Sequence, residues 1–417
     1  MEITEQKQDI AVLCAVDTGE YDAEVSIDEL EELAKTAGAV CAAKIIQKRP
    51  SPDTATYLGS GRTEELAEEC KALGATLLIF DAELTANQIR NIEDITDIRV
   101  VDRTTLILDI FAARALSAEG RIQVELAQQK YRLAHLAGKG IALSRLGGGI
   151  GTRGPGETKL ETDRRHIRHR IEELTDSLDE IRRHRELIRG RRKKDNVQCA
   201  AIVGYTNAGK STLLNALTNA GVLSEDKLFA TLDITSRSIM LPDGRNVLLS
   251  DTVGLIRRLP HNLVEAFHST LEEAANADIL LIVVDISSDT AREELQVTEK
   301  LLAELGCEDI PRVFILNKCD KLEGAENIPD TDDTVKICAK TGMGFDKMLD
   351  RIAKNLPSDY TRRILLIPYS DGSIANRIIE MGGKIFDTEY LPEGTKIDAL
   401  VSNKLDVGKY SYQIGKE

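Results

Sequence analysis

The sequence predicts an α/β protein: an N-terminal α/β domain with a long antiparallel helical hairpin, a second α/β domain with a mainly parallel sheet, and a small C-terminal α+β domain. Three observations predict it. Short apolar runs alternate with amphipathic helix patterns before residue 105, a heptad seam runs from 167 to 188, and a glycine-rich turn near 204 joins a strand-like run to a helix-like one.

In residues 1–110, "IAVLCAV" (10–16), "AVCAAKIIQ" (39–47), "TLLIFD" (76–81) and "IRVVD" (98–102) read as buried strands. Between them, "SIDELEELAKTAG" offers Ser26 as the expected N-cap and Gly38 as the stop, and "RTEELAEECKALG" ends at Gly74. "GSGR" (59–62) reads as a turn before that second helix. The rhythm is βαβ, so the sheet is expected to be largely parallel.

Residues 111–195 change character. "EGRIQVELAQQKYRLAHLAG" repeats apolar Ile122, Leu126, Leu133 and Leu136 at helical spacing, with a stop expected at Gly138. Ile167, Ile171, Leu174, Leu178, Ile181 and Ile188 then recur at intervals of four and three, broken only by Arg185. Such a seam packs lengthwise on another helix, which predicts a hairpin with its tip at residues 138–158. Thirty helical residues reach about 45 Å, far enough to hold the tip away from the domain bodies.

Charge sets this hairpin apart. Residues 121–195 hold 19 Lys and Arg against 11 Asp and Glu, a balance of +8, so the remainder of this −15 chain carries −23. The tip places Lys139, Arg145, Arg153 and Lys159 among glycines, a pattern suited to phosphates on an irregular RNA surface. Two blander readings stand beside it: a flexible linker, or a coiled-coil docking arm, which the interleaved acids of "EELTDSLDE" favour.

Composition narrows the setting. With 42% hydrophobic and 29% charged residues, the chain suits a globular protein rather than a disordered one. No apolar run approaches the roughly 18 residues of a membrane span, and the acidic opening resembles neither a signal nor a transit peptide, so a cytoplasmic location is expected. The seven cysteines form no C-x-x-C pair and read as reduced core residues, with structural zinc as the remote alternative.

The chemistry gathers in residues 196–357, whose strands are expected at 197–203, 247–251, 279–285, 313–317 and 335–339. "GYTNAGKS", from Gly204 through Tyr205, Thr206, Asn207, Ala208 and Gly209 to Lys210 and Ser211, follows a strand and opens the helix "KSTLLNALTNAG" (210–221), which contains Thr212. Backbone N–H groups and a helix N-terminus there face phosphates, Lys210 reaches the β and γ groups, and Ser211 holds Mg²⁺. A chance Gly-Lys-Ser turn is the alternative, and it lacks that context. "DTVG" adds Asp251 for the magnesium shell, expected through water, then Thr252, Val253 and Gly254, whose N–H suits the γ-phosphate. Asn317, Lys318 and Asp320 in "NKCD" supply a carboxylate matched to guanine N1–H and its amine. Cys338, Ala339 and Lys340 then put a backbone N–H near the guanine oxygen. The joint pattern predicts a GTP and GDP site.

These motifs resemble the translation-factor branch of P-loop GTPases, and "GSGR" (59–62), "DRTTLILDIFAARALSAEGRIQVELAQ" (102–128) and "GPGETKLETDRR" (154–165) resemble signatures of the HflX GTPase family. The resemblance covers residues 10–360 and implies a P-loop GTPase domain that couples GTP hydrolysis to the large ribosomal subunit and its RNA, including the separation of stalled ribosomes under stress. Thr231, after Phe229 and Ala230 in "FATLD", resembles the switch I threonine that closes over Mg²⁺ and γ-phosphate. Lys210, Thr231 and Gly254 are thereby the expected catalytic set. Residues 358–417 resemble a feature of only some members and receive no function.

Two positions refine the expectation. Leu255 stands where better-known small GTPases carry a water-orienting glutamine, so intrinsic hydrolysis should be slow. Asn207 leaves two readings open: an oxygen ligand for an activating K⁺, or a side chain that stabilises its own loop. The protein is expected to act as a monomer. A protein-signalling switch that uses the hairpin as a docking arm is the competing function, and binding that survives high salt would support it.

Overall fold

The computed structural model describes residues 8–144, 155–194, 197–218, 228–229, 235–258, 260, 272–322, 324, 328, 331–357, 360–381, 383–403 and 405–411, with backbone alone for 137–144, 155–160 and 193–194. The N-terminal sheet contains β1 (Ile10–Asp17), β2 (Val40–Lys48), β3 (Leu77–Phe80) and β4 (Arg99–Asp102) in the order β2-β1-β3-β4, all parallel. Its helices are α1 (Ala23–Thr36), α2 (Ser60–Leu73), α3 (Ala86–Thr96) and α4 (Arg103–Arg114). Gly59 precedes α2, so "GSGR" is the turn into that helix, and Gly74 caps it in the left-handed conformation.

Local chemistry sets the helix starts. Asp22, not Ser26, caps α1, because its carboxylate accepts the N–H groups of Glu24 and Val25. The apolar periodicity extends back to Ala23, which puts Ser26 one turn inside the helix on its buried face. Asp102 caps α4 through Thr105 N–H at 2.8 Å, and its other oxygen accepts from Leu84 N–H at 3.1 Å and Tyr131 Oη at 2.8 Å. One buried carboxylate thus fastens the end of β4 to the helix that follows and to the hairpin.

That hairpin is α5 (Ala118–Ser144) and α6 (Pro155–Lys194). The stop expected at Gly138 does not occur. A helical glycine costs about 1 kcal/mol against alanine, and α5 continues past Gly138 and Gly140 into "IALS". Pro155 opens α6, where its missing N–H costs nothing. The tip is therefore shorter than expected, and residues 145–154, with Arg145 and Arg153, lie outside the described residues. Ile122 and Leu126 of α5 pack with Ile171, Leu174 and Leu178 of α6, so the seam holds in its middle. Farther on it opens: Ile188 is 37% exposed. Arg170 grips Glu125 with both guanidinium arms at 2.7 and 2.9 Å, and Arg185, the break in the heptads, pairs with Glu119.

The second sheet holds β5 (Gln198–Gly204), β6 (Ser236–Met240), β7 (Asn246–Asp251), β8 (Ile279–Asp285), β9 (Arg312–Asn317) and β10 (Thr334–Lys336), ordered β10-β9-β8-β5-β7-β6, with only β6 antiparallel. Helices α7 (Lys210–Thr218), α8 (Ala291–Glu304) and α9 (Phe345–Asn355) belong to this unit. β10 is shorter than the expected 335–339, since the chain leaves the ladder after Lys336 and turns back through a Cys338–Met343 bridge. The C-terminal unit is an antiparallel sheet, β11-β13-β12, with α10 (Ser373–Glu380) packed on it. Its strands are β11 (Tyr360–Ile367), β12 (Lys384–Leu391) and β13 (Gly394–Ser402).

The N-terminal core does not end at the first domain. Ile107 and Phe111 of α4 lie in one buried cluster with Tyr205, Phe229, Val253 and Ile256 of the second unit. The Phe111 and Phe229 rings meet edge to face, with centroids 4.6 Å apart.

Candidate nucleotide site

The turn from β5 into α7 is a phosphate loop in shape. Lys210 opens the helix with its ammonium fully buried, donating to the carbonyls of Gly204 at 3.1 Å and Tyr205 at 2.7 Å. Burial pushes its pKa down to about 8, against the pull of Asp251. Asn207 bends the loop at a φ of 60°, a conformation asparagine tolerates, and its exposed side chain makes no hydrogen bond among the described residues. Gly209 is required as glycine: its φ is 96°, and a Cβ there would lie 2.2 Å from Asn317 Nδ2.

Asp251 ends β7 beneath this loop, fully buried, and Ser211 Oγ donates to its Oδ2 at 2.8 Å. A hydroxyl and a carboxylate so placed fit a hard divalent cation such as Mg²⁺, whose chemistry would be to neutralise charge on phosphate oxygens. Among the described residues no group of three or more His, Cys, Asp or Glu side chains could hold a metal, and all seven cysteines are free thiols. Thr231 and Ala230 lie outside the described residues.

Asn317 joins the loop to the edge of the sheet. Its Nδ2 donates to Ala208 O at 2.8 Å, and its Oδ1 accepts Ala339 N–H at 3.0 Å. Lys318, left-handed at a φ of 60°, pairs with Asp285 at 2.7 Å. Asp320 is exposed beyond it, and the nearby Cys338 thiol draws its carboxyl below the usual range. Lys340 is exposed next to it, and Thr212 is half-buried in α7.

Other expected residues are brought near the loop with their side chains committed elsewhere. The Thr252 hydroxyl donates to Ile202 O at 2.7 Å, and Val253 and Phe229 are buried in the interdomain cluster. The Phe229 side chain is seated against Phe111, which leaves its backbone as the part that could face a nucleotide. Tyr205 points away from the loop too: its hydroxyl donates to Glu29 of α1 at 2.5 Å and accepts Arg257 N–H at 2.8 Å.

Sequence reasoning missed the polar seam beside these residues. Arg103, 2% exposed, bonds Asp81 at 2.6 Å, Glu29 at 2.8 Å and the carbonyl of Arg257 at 3.0 Å. Arg258 reaches Asp81 at 2.8 Å while lying 4.0 Å from the centre of the Tyr21 ring. Asp81 also accepts from Ser26 at 2.6 Å. The segment after Gly254 is thereby held by the carboxyl ends of the N-terminal strands. Arg103 in "DRTT" was the available signal, since an arginine just after a buried strand needs carboxylate partners.

Comparison with known proteins decides the family. Residues 24–112 match a family model described as GTP-binding GTPase N-terminal, 114–192 one described as GTP-binding GTPase Middle Region, and 199–318 one described as 50S ribosome-binding GTPase. A GTPase HflX of Caldanaerobacter subterraneus is 49% identical over 96% of this chain and 93% of its own. The chain belongs to the HflX GTPase family. A Lacrimispora saccharolytica HflX is 50% identical over 94% of each chain, and the Escherichia coli HflX is 39% identical over 90% of this chain and 89% of its own. Among solved structures, a GTP-binding protein from Sulfolobus solfataricus in complex with GDP is 25% identical over 84% of this chain and 99% of its own, with a TM-score of 0.43.

Membership makes this HflX-family chain a GTP hydrolase that binds GTP and GDP and carries a GTPase domain of the ribosome-binding kind. Among the described residues no helix is long and apolar enough to cross a membrane.

Proposed function

We propose that this GTPase uses residues 204–212 to hold the phosphates of GTP, Asn317, Lys318 and Asp320 with Ala339 to hold guanine, and the hairpin tip to engage RNA of the large ribosomal subunit. Ser211 and Asp251, the latter through water, hold Mg²⁺ with Thr231, and Asn207 supplies an oxygen to K⁺. Lys210 and the Gly254 N–H bind the γ-phosphate, and Lys139, Arg145, Arg153 and Lys159 meet ribosomal phosphates. The protein acts in the cytoplasm as a monomer and separates stalled ribosomes under stress.

The observation that carries the coupling is the double anchorage of the hairpin. Tyr131 and His135 of α5 hold it to Asp102 and to the Leu84 carbonyl, while Arg189 of α6 bonds Glu273 of the nucleotide unit at 2.7 Å. A nucleotide-dependent shift between the two units therefore bears on both helices of one long arm. Hydrolysis by the protein alone is expected to be slow, because Leu255 cannot hold water, and to rise at least about tenfold with large subunits. Turnover that subunits leave unchanged would overturn the coupling.

A further inference from the structure

We propose that the Thr206 hydroxyl does the work of the missing glutamine, holding the attacking water, or the γ-phosphate oxygen beside it, during GTP hydrolysis; this rests on the reading of residues 204–211 as the GTP phosphate loop. Hydrolysis needs a neutral polar group there to accept a hydrogen bond from water and keep its lone pair aimed at phosphorus. The neighbouring side chains are spent. Leu255 is apolar and 4% exposed. The Thr252 hydroxyl is bonded to Ile202 O at 2.7 Å, and the Tyr205 hydroxyl to Glu29 at 2.5 Å. Lys210 has donors only.

Thr206 differs from all of these. It is 5% exposed, and its Oγ1 is buried without a hydrogen-bond partner. A buried hydroxyl left unsatisfied is uncommon and calls for an explanation. Its place supplies one: a Cβ at Gly254 would lie 2.6 Å from Thr206 Cγ2, 3.0 Å from its Cα and 3.1 Å from Lys210 Nζ. The side chain thus stands against the glycine and the lysine that address the γ-phosphate. Its hydroxyl shares a Cβ with the methyl that meets Gly254, so one χ1 rotation exchanges the two. The backbone keeps this register, because Thr206 N–H donates to Leu255 O at 2.8 Å and Leu255 N–H to Gly204 O at 3.2 Å.

In the step itself, the water oxygen bonds to the γ-phosphorus and the bond from that phosphorus to the β–γ bridging oxygen breaks. Its electron pair stays on GDP, and the water proton leaves with inorganic phosphate. Thr206 orients the water and neither gains nor loses a proton overall.

Thr206→Val keeps the shape and removes the hydroxyl, and Thr206→Ser keeps the hydroxyl. Single-turnover hydrolysis by the full chain, beside GTP and GDP binding, tests the assignment. The valine variant should lose about tenfold or more in rate with nucleotide affinity held within about threefold, and the serine variant should recover most of the rate. A valine variant that binds GTP normally and hydrolyses it at the wild-type rate overturns the proposal and leaves the nucleotide site standing. Loss of GTP and GDP binding in both variants gives Thr206 a packing role and also overturns it. Unchanged GTP affinity in Lys210→Ala removes the reading of residues 204–211 as the phosphate loop, and the proposal with it.

Discussion

Tyr205 Oη lies 2.5 Å from Glu29 Oε2, so the second residue of the phosphate loop is hydrogen-bonded to the first helix of the N-terminal domain. The same oxygen accepts Arg257 N–H at 2.8 Å, which places one phenol between three segments. Glu29 is buried, and burial raises its pKa while Arg103 opposes the rise. Tyr205→Phe strands Glu29 Oε2 and the Arg257 amide, while Glu29 Oε1 keeps Arg103. The variant should lose about 1–3 kcal/mol of stability, measured by chemical denaturation. An unchanged unfolding midpoint would contradict a working interdomain bond.

Burial of Lys210 sets the sign of a pH dependence in GTP binding. Its pKa is pushed down to about 8 by burial, and bound phosphates favour its charged form. Above that pH, GTP binding takes up a proton. Affinity should therefore be level below about pH 7.5 and fall as pH rises through 8, approaching tenfold per unit. Lys210→Arg, weaker or not, should lose this slope, since a guanidinium does not titrate there. Calorimetry in buffers of different ionisation enthalpy reports the proton uptake directly.

Base choice turns on Asp320. Asp320→Asn replaces a carboxylate that matches guanine N1–H and amine with an amide that offers a donor. Competition binding should show preference moving from GTP towards xanthosine triphosphate by at least about tenfold. Unchanged GTP preference would remove Asp320 from the base pocket.

Asn207 is exposed on the loop with no hydrogen bond of its own among the described residues, which leaves its amide oxygen available to a cation. Exchanging Na⁺ for K⁺ should raise the wild-type hydrolysis rate and leave Asn207→Ala indifferent. Equal K⁺ stimulation in both proteins would dismiss the side chain as a ligand.

Much of this fold is legible because its signals are local. Apolar runs mark the parallel strands, of which the central β1, β3, β5 and β8 are buried on both faces while edge strand β2, expected buried, is only partly so, and Gly74 ends α2 in the left-handed cap its position implies. The missed elements lack such signals. β6 buries only Ile239 and β12 is largely exposed, so neither reads as a strand by its apolar residues. Ser26 is displaced as a cap by Asp22, a better-placed competitor four residues earlier. In the site, the order of "GYTNAGKS", "DTVG" and "NKCD" is plain in the chain. The seam of Glu29, Asp81, Arg103, Tyr205 and Arg258 is not, because its ion pairs and hydrogen bonds join residues 22 to 177 positions apart.

Subunit binding across a salt series is the decisive measurement for a hairpin tip that carries this GTPase to the RNA of the large ribosomal subunit. Wild type and a variant with Arg145, Arg153 and Lys159 all neutralised are to be compared with a non-hydrolysable GTP analogue present, beside nucleotide affinity for each. The variant should bind more weakly and with a flatter salt dependence, since fewer phosphate contacts release fewer counterions, with nucleotide affinity unchanged. Equal subunit affinity and equal salt slope in the two proteins would contradict RNA contact by the tip and favour an arm that docks on protein.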